Sequence, residues 1–411
     1  MGARETALNA LIACRKNGAW SNGVLKEYVQ RDRLDSRDAG LAAHLCYGVL
    51  QNRQKLDFYL KQLLTGKLRD LHPVVRDILH LGLYQIYELD KIPESAAVNE
   101  SVALAKKYCP KQKNASGLVN AVLRNAVRTK GELTEPTSLE DRYSHPANLI
   151  ALLRSYVGEE RLERMLAANN AAPDTVIQVN TLKITTAELT ARLEEEKVSV
   201  RPHGWLADCL ILSNTGSLEH LPSFKEGLFY VQDAAAKLSV LCAQLPKDQE
   251  WNVLDCCSAP GGKTFAAAIA MGGRGKITSC DVHEHKVSLI QNGAARLGLS
   301  NVTAMQQDAS ARVDAWVDSM DAVIADVPCS GYGIIRKKPD IREKDPDTMK
   351  ELPALQLSIL RNQSKYVKKG GTLLYSTCTL VRRENEGVVE KFLKAEPDFY
   401  LEPLPLPEPF P

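Results

Sequence analysis

The stretch Val253-Leu254-Asp255-Cys256-Cys257-Ser258-Ala259-Pro260-Gly261-Gly262-Lys263-Thr264 decides the architecture of the carboxyl-terminal half. It reads as a short apolar strand, a loop of small residues with two glycines, and the start of a helix. Small residues let the backbone pass close to a ligand, and the following helix offers its first N–H groups. Three readings of such a loop compete. A P-loop needs a glycine five positions before Gly262, where Cys257 stands. A dinucleotide fingerprint needs G-x-G-x-x-G, which is absent. A loop that cradles an amino-acid-bearing nucleoside needs only close backbone approach, and that requirement is met.

Working outward, four more apolar runs follow: GKITSCD (275–281), NVTAMQQD (301–308), MDAVIADVPC (320–329) and GTLLYSTCT (371–379). Helix-length segments separate them. Repeated strand–helix–strand units predict a parallel sheet covered on both faces, a Rossmann-like α/β domain. In such a sheet, ligands bind outside the carboxyl ends of the strands. Asp281 ends the second run about 20 residues after the glycines, where a carboxylate can accept both ribose hydroxyls. Asp308 ends the third run, at reach of an adenine edge, and Asp326 ends the fourth. A single strand-end Asp is as well explained by a helix cap or a turn. Acidic residues at four equivalent ends, Asp255 included, weaken that explanation.

Two cysteines share this edge. Cys329 lies in Asp326-Val327-Pro328-Cys329-Ser330-Gly331, and Cys378 in Ser376-Thr377-Cys378-Thr379. Small buried cysteines are common in such cores, and for an arbitrary cysteine that is the better reading. Two at adjacent strand ends reverse the balance. The chemistry that needs them is methylation of a pyrimidine carbon. C5 of cytosine is too weak a nucleophile to take a methyl group directly. A thiolate adding to C6 makes C5 an enamine carbon, and the adduct must later lose the C5 proton and expel the thiolate. A thiol with a pKa of ~8.5 has to be deprotonated for this. A second cysteine can assist proton removal or release. Asp326 can hydrogen-bond the N3/N4 edge. The base must be unpaired or flipped out. The residues alone do not say which cysteine attacks.

The rest of the chain is of different character. Residues 1–128 read as helices, with apolar spacing at Ala7, Leu8, Leu11 and Ile12 and again from Val74 to Leu83. Pro73 stands where a helix would start; Pro93 and Pro110 fall between periodic stretches. Residues 1–130 carry 21 Lys and Arg against 12 Asp and Glu, and the remainder 31 against 38. A basic helical domain on an acidic remainder suits a polyanion partner, although a solvated basic surface explains it equally well. Residues 129–145 are polar and turn-rich, the expected linker. Residues 146–235 mix short helices with the runs TVIQVNTLKI, DCLILS and GLFYVQD, a small α+β module. Residues 236–411 complete the catalytic domain, ending in the Pro-rich EPLPLPEPFP.

At 44% hydrophobic and 25% charged, the composition is that of ordinary globular domains. Ten irregularly spaced cysteines with no C-x-x-C pair argue against a disulfide scaffold and against a zinc site. A reducing cytoplasmic location is expected. The amino terminus has no signal-peptide core, and no run of about 18 apolar residues is present to span a membrane.

The motifs VLDCCSAPGGKT, DVPCSGYGIIRKKPDIR, LLYSTCTL and RRENEGVV resemble the RNA 5-methylcytosine methyltransferases of the NOL1/NOP2/Sun group, and within it the Sun/RsmB family. RDAGLAAHLCYGVLQNRQKLD, HPVVRDILHLGLYQIYELDKIPESAAVNESVALAK and GLVNAVLRN are similar to the NusB RNA-binding fold. The resemblance implies S-adenosylmethionine as cofactor and cytosine 967 of 16S rRNA as the target of a monomeric enzyme. It implies Cys378 as nucleophile and Cys329 as the residue that helps resolve the adduct. It further implies that Cys257, Ser258, Ala259, Pro260, Gly261, Gly262 and Lys263 wrap the cofactor, with Asp281 on the ribose, Asp308 near the adenine and Asp326 between cofactor and base. Three departures stand out. Gln178 replaces an Arg before Val-Asn, which would weaken an RNA contact. Tyr332 replaces a small residue, which would narrow the base pocket. The chain reaches Pro411 without the family's final antiparallel strands and Gly-Phe-Phe-like segment.

A non-catalytic RNA-binding assembly factor is the main competing reading, but it has no need of the thiol pair. A DNA cytosine methyltransferase is the other, and the Thr-Cys motif and NusB-like region speak against it.

Overall fold

The computed structural model describes residues 1–17, 20–344 and 349–406. The chain divides into two compact units. The first holds residues 1–172 and a returning segment from Ile334; the second holds 173–333 and the chain from Met349.

The first unit is helical: α1 (Ala3–Asn17), α2 (Ser21–Arg31), α3 (Ser36–Leu63), α4 (Pro73–Glu88), α5 (Glu94–Tyr108), α6 (Ala115–Arg128), α7 (Leu139–Tyr143), α8 (Ala147–Val157) and α9 (Glu159–Asn170). Pro73 sits in the first turn of α4, where its missing N–H costs nothing. This helix is buried almost all round, so it runs through the centre of the unit. α6 offers only one face, through Val119, Val122, Leu123 and Ala126. Asp35 caps α3 by accepting from the Asp38 N–H. The stretch expected as a linker contains α7, which Ser138 caps. Helices α8 and α9 belong to this unit as well.

The returning segment is bound into the first unit by Arg342, only 1% exposed. Its guanidinium donates to the carbonyls of Gln51, Tyr143, Ser144 and Asn169 at 2.9–3.3 Å. His145 is buried beside it. One ring nitrogen lies 2.7 Å from the Tyr143 carbonyl and the other 3.2 Å from the Asn169 amide nitrogen. Burial, reinforced by the charge of Arg342, pushes His145 down to about 3.

The second unit begins with a four-stranded antiparallel sheet in the order β2-β3-β1-β4. Its strands are β1 (Thr175–Val179), β2 (Ser199–Pro202), β3 (Cys209–Ser213) and β4 (Phe229–Val231). Helix α10 (Thr186–Glu195) packs on it, opened by a capping box between Thr185 and Glu188. Strand β2 has no counterpart among the runs read from the sequence. It is a largely exposed edge strand ending in proline, so it carries no apolar alternation to read. A short helix, α11 (Pro222–Lys225), and α12 (Ala234–Leu241) lead into the larger sheet.

That sheet is five-stranded and all parallel, in the order β7-β6-β5-β8-β9. The strands are β5 (Asn252–Asp255), β6 (Lys276–Asp281), β7 (Val302–Gln306), β8 (Met320–Asp326) and β9 (Val367–Ser376). Helices α13 (Gly262–Ala270), α14 (Glu284–Leu297), α15 (Leu352–Ser364) and α16 (Glu386–Ala395) cover it. Val253, Ile277, Ala322 and Ile324 pack in one core cluster; Leu254, Cys280, Val323 and Ala325 pack in another. Strands buried on both faces have no polar side, which is why they read as unbroken apolar runs. The expected multidomain architecture is found: all-α, small α+β, then Rossmann-like α/β. No described helix is long and apolar enough to cross a membrane. Residues 402–406 of the Pro-rich end form no helix or strand; 407–411 lie outside the described residues.

Candidate active site

Strand order reverses at β5, which pairs with β6 on one side and β8 on the other. A crevice at the carboxyl ends of these strands is therefore dictated by topology. Asp255, Asp281 and Asp326 are the last residues of β5, β6 and β8. Asp308 is not a strand end: β7 stops at Gln306, and the exposed Asp308 carboxylate accepts from the N–H and hydroxyl of Ser310, a local turn.

The loop after β5 is held from below. Ser258 donates through its N–H and its hydroxyl to the Cys280 carbonyl, at 2.8 and 2.9 Å. Gly261 has φ +108°, which disfavours any side chain, and a Cβ there would collide with the Phe265 ring. Beneath the loop, Asp255 is fully buried. It accepts from the Thr264 hydroxyl at 2.7 Å, and Thr264 also lies 2.7 Å from the Ser279 hydroxyl. Desolvation pushes this carboxyl up to about 7, with the nearby Asp326 charge adding to the effect. Asp281, 8% exposed, accepts from the His283 N–H at 3.0 Å.

Lys263, a member of the cofactor wrap by resemblance, turns to a carboxylate. Its ammonium lies 2.7 Å from Asp326, whose other oxygen accepts from Ser376 at 2.8 Å. Asp326 is thus oriented from two sides.

The register pairs Asp326 with Ser376, so the loops that follow β8 and β9 leave the sheet together. Cys329 and Cys378 meet there with sulfurs 3.0 Å apart. The Cys378 N–H points at the Cys329 sulfur at 3.2 Å, and the Gly333 N–H donates to the Cys378 carbonyl at 2.9 Å. Hydrogen bonding to Cys378, together with burial, pushes the Cys329 thiol far above the ordinary thiol range. Cys378 is the exposed member of the pair.

Two departures from the family pattern are buried. Gln178 is fully buried on β1 and donates to the Gln232 carbonyl at 3.0 Å. Tyr332 is also fully buried. Sequence reasoning also missed Glu384 and Asn385, which touch both cysteine loops; the RRENEGVV motif was the available signal.

Family models match the chain over three stretches. The description "16S rRNA methyltransferase RsmB/F" matches residues 242–410, "NusB family" matches 1–128, and the RsmF/B-like ferredoxin-like domain matches 145–219. Over 403 residues the chain is 38% identical to a probable ribosomal RNA small subunit methyltransferase B of Bacillus subtilis, covering 96% of this chain and 89% of that protein. The chain belongs to the RsmB family. A ribosomal RNA small subunit methyltransferase B of Vibrio cholerae is 34% identical, covering 97% and 90% of the two chains. The crystal structure of PH0851 superposes with a TM-score of 0.81 over 99% of this chain and 92% of its own, at 24% identity, which speaks for the shared fold. RsmB membership makes the chain an rRNA methyltransferase with a NusB helical domain and a ferredoxin-like module.

Proposed function

We propose that the protein methylates C5 of a cytosine in 16S rRNA, cytosine 967 by family resemblance, with S-adenosylmethionine as donor and a Cys378–C6 adduct as intermediate. The observation that carries this reading is the thiol pair: two sulfurs 3.0 Å apart at neighbouring strand ends, beside the crevice.

The donor set suits a nucleoside cofactor. A carboxylate at the end of β6 and a glycine-bearing loop entering a helix are the elements such a ligand requires. Residues 257–263, Asp281 and Asp308 would hold it. When bound, S-adenosylmethionine supplies an electrophilic sulfonium methyl.

The protein does the rest. The exposed Cys378 is the sulfur a flipped base can reach. Its thiolate bonds to C6 as the C5–C6 π electrons move to C5. Asp326, held by Lys263 and Ser376, faces the cytosine N3/N4 edge and steadies the proton that offsets the added charge. After C5 takes the methyl, its proton leaves to a base and the C6–S bond breaks, returning the electron pair to Cys378. Cys329 stays a thiol at neutral pH and can donate its hydrogen to the departing sulfur.

Cys378→Ala should abolish methyl transfer to 16S rRNA while cofactor binding survives. Cys329→Ala should accumulate a protein–RNA species that resists denaturant on a gel. Turnover by the first variant would refute the assignment of the nucleophile. Bisulfite sequencing of rRNA from cells with and without the gene reads the target base.

A further inference from the structure

Glu384 and Asn385 are consecutive residues between β9 and α16, and each serves a different cysteine. Glu384 is fully buried. One of its oxygens accepts from the Ser330 N–H at 2.9 Å and from the Gln356 amide at 3.0 Å. The same Gln356 nitrogen donates to the Pro328 carbonyl at 2.9 Å. Both neighbours of Cys329 are therefore held. Asn385 does the same for Cys378. Its oxygen accepts from the Thr377 hydroxyl at 2.6 Å, and its amide nitrogen donates to the Thr379 carbonyl at 3.1 Å. A Ser330–Thr379 hydroxyl contact at 2.8 Å ties the two loops together.

Stabilising the fold explains these contacts poorly. Asn385 occupies the N-cap of α16, where its side chain could accept from a helix N–H and stabilise the helix start. It makes no such bond, and both its polar atoms go to the Cys378 loop. Glu384 carries a fully buried carboxyl group, and buried polar atoms are costly unless each finds a partner. Among the described residues, one oxygen is met by the Ser330 N–H and Gln356, and the other is buried without a hydrogen bond. A buried carboxyl group with one oxygen unmet is a poor choice for a merely structural loop.

We propose that Glu384 and Asn385 are positioning residues for the reaction above: Glu384 holds Ser330 directly and Pro328 through Gln356, Asn385 holds Thr377 and Thr379, and together they set the approach of the two sulfurs. The clamp deepens the cytosine-methylation reading and rests on it for its catalytic consequence. Its geometric consequence does not. If Asn385 lets go, the Cys378 loop drifts and the hydrogen bond between the sulfurs weakens.

The test uses the full-length chain and Asn385→Ala, because Glu384→Ala would open a larger buried gap and endanger folding. First, the rate of Cys329 alkylation by iodoacetamide at pH 8 is followed by peptide mapping. It should rise at least tenfold as the contact between the sulfurs loosens. Second, with 16S rRNA, kcat should fall at least tenfold while KM for RNA and the affinity for S-adenosylhomocysteine stay within twofold. Asn385→Asp, which keeps the acceptor for Thr377, should recover part of both effects. An unchanged Cys329 alkylation rate overturns the clamp. So does a loss of kcat accompanied by an equal loss of cofactor affinity, the mark of general disruption. If the unaltered protein methylates no rRNA yet the alkylation rate still rises in the variant, the clamp stands and the cytosine reading falls.

Discussion

Replacing Asp255 by asparagine should stabilise the second unit, and by an amount that grows with pH. The carboxyl is fully buried at the end of β5, with the Thr264 hydroxyl as its hydrogen-bond donor. Desolvation lifts it from 3.8 to about 7. Between these two values the folded chain keeps a proton that the unfolded chain releases. The stability this group contributes is therefore complete below pH 3.8 and is lost as pH rises through 7. Three pH units at about 1.4 kcal/mol each amount to roughly 4 kcal/mol. Asparagine keeps the shape and an acceptor for Thr264 but does not titrate. The variant and the wild type should differ little near pH 4, and by up to ~4 kcal/mol near pH 8. For a unit of this size that is on the order of 10 °C in midpoint. Thermal unfolding followed by tryptophan fluorescence is a suitable assay, because Trp205, Trp251 and Trp316 all lie in the second unit and only Trp20 in the first. Other titrating groups are common to both proteins and cancel in the difference. A difference that is flat from pH 4 to 8 would refute the reasoning.

Acid should destabilise the first unit through His145. The unfolded imidazole takes its proton near 6.5 and the folded one only near 3, so stability falls by about 1.4 kcal/mol per unit as pH drops between them; urea titrations of His145→Gln should show a shallower decline. Gly333→Ala would set a Cβ 2.8 Å from the Cys378 carbonyl oxygen. Single-turnover methyl transfer should drop roughly 10–100-fold with cofactor affinity retained, and an unaltered rate would show that this loop gives way freely. Lys111, Lys113 and Arg124 are exposed on the first unit. Changing all three to Gln should flatten the dependence of RNA affinity on salt by about 0.7–0.9 for each phosphate no longer neutralised, and an identical slope would remove these residues from the RNA interface.

Much of the fold is legible in the sequence because period and composition report burial directly. The five parallel strands announce themselves as apolar runs between helices, since both of their faces are covered. Helix α4 is marked by Pro73 and by apolar residues on every side. Strand β2 is not legible, because an exposed edge strand owes its existence to the ladder with β3 and not to its own residues. The burial of Gln178 and Tyr332 is not legible for a related reason. Whether a polar side chain faces solvent or a buried carbonyl depends on what packs against it, and nothing local to either residue says so.

The candidate site divides along the same line. The loop from Cys257 to Lys263, the strand-end carboxylates Asp281 and Asp326, and the two candidate cysteines were determined by the sequence alone, since strand ends and glycine loops are local events. Only the tertiary structure decided the rest. It turned Lys263 onto Asp326, removed Asp308 from the strand ends, brought Cys329 within 3.0 Å of Cys378 and set Glu384 and Asn385 behind both. These relations join residues up to 63 positions apart, and they arise from the parallel register of β8 and β9 and from the crossover of β5 to β8. Chain order carries no distance of that kind; hydrogen-bonded strand pairing does.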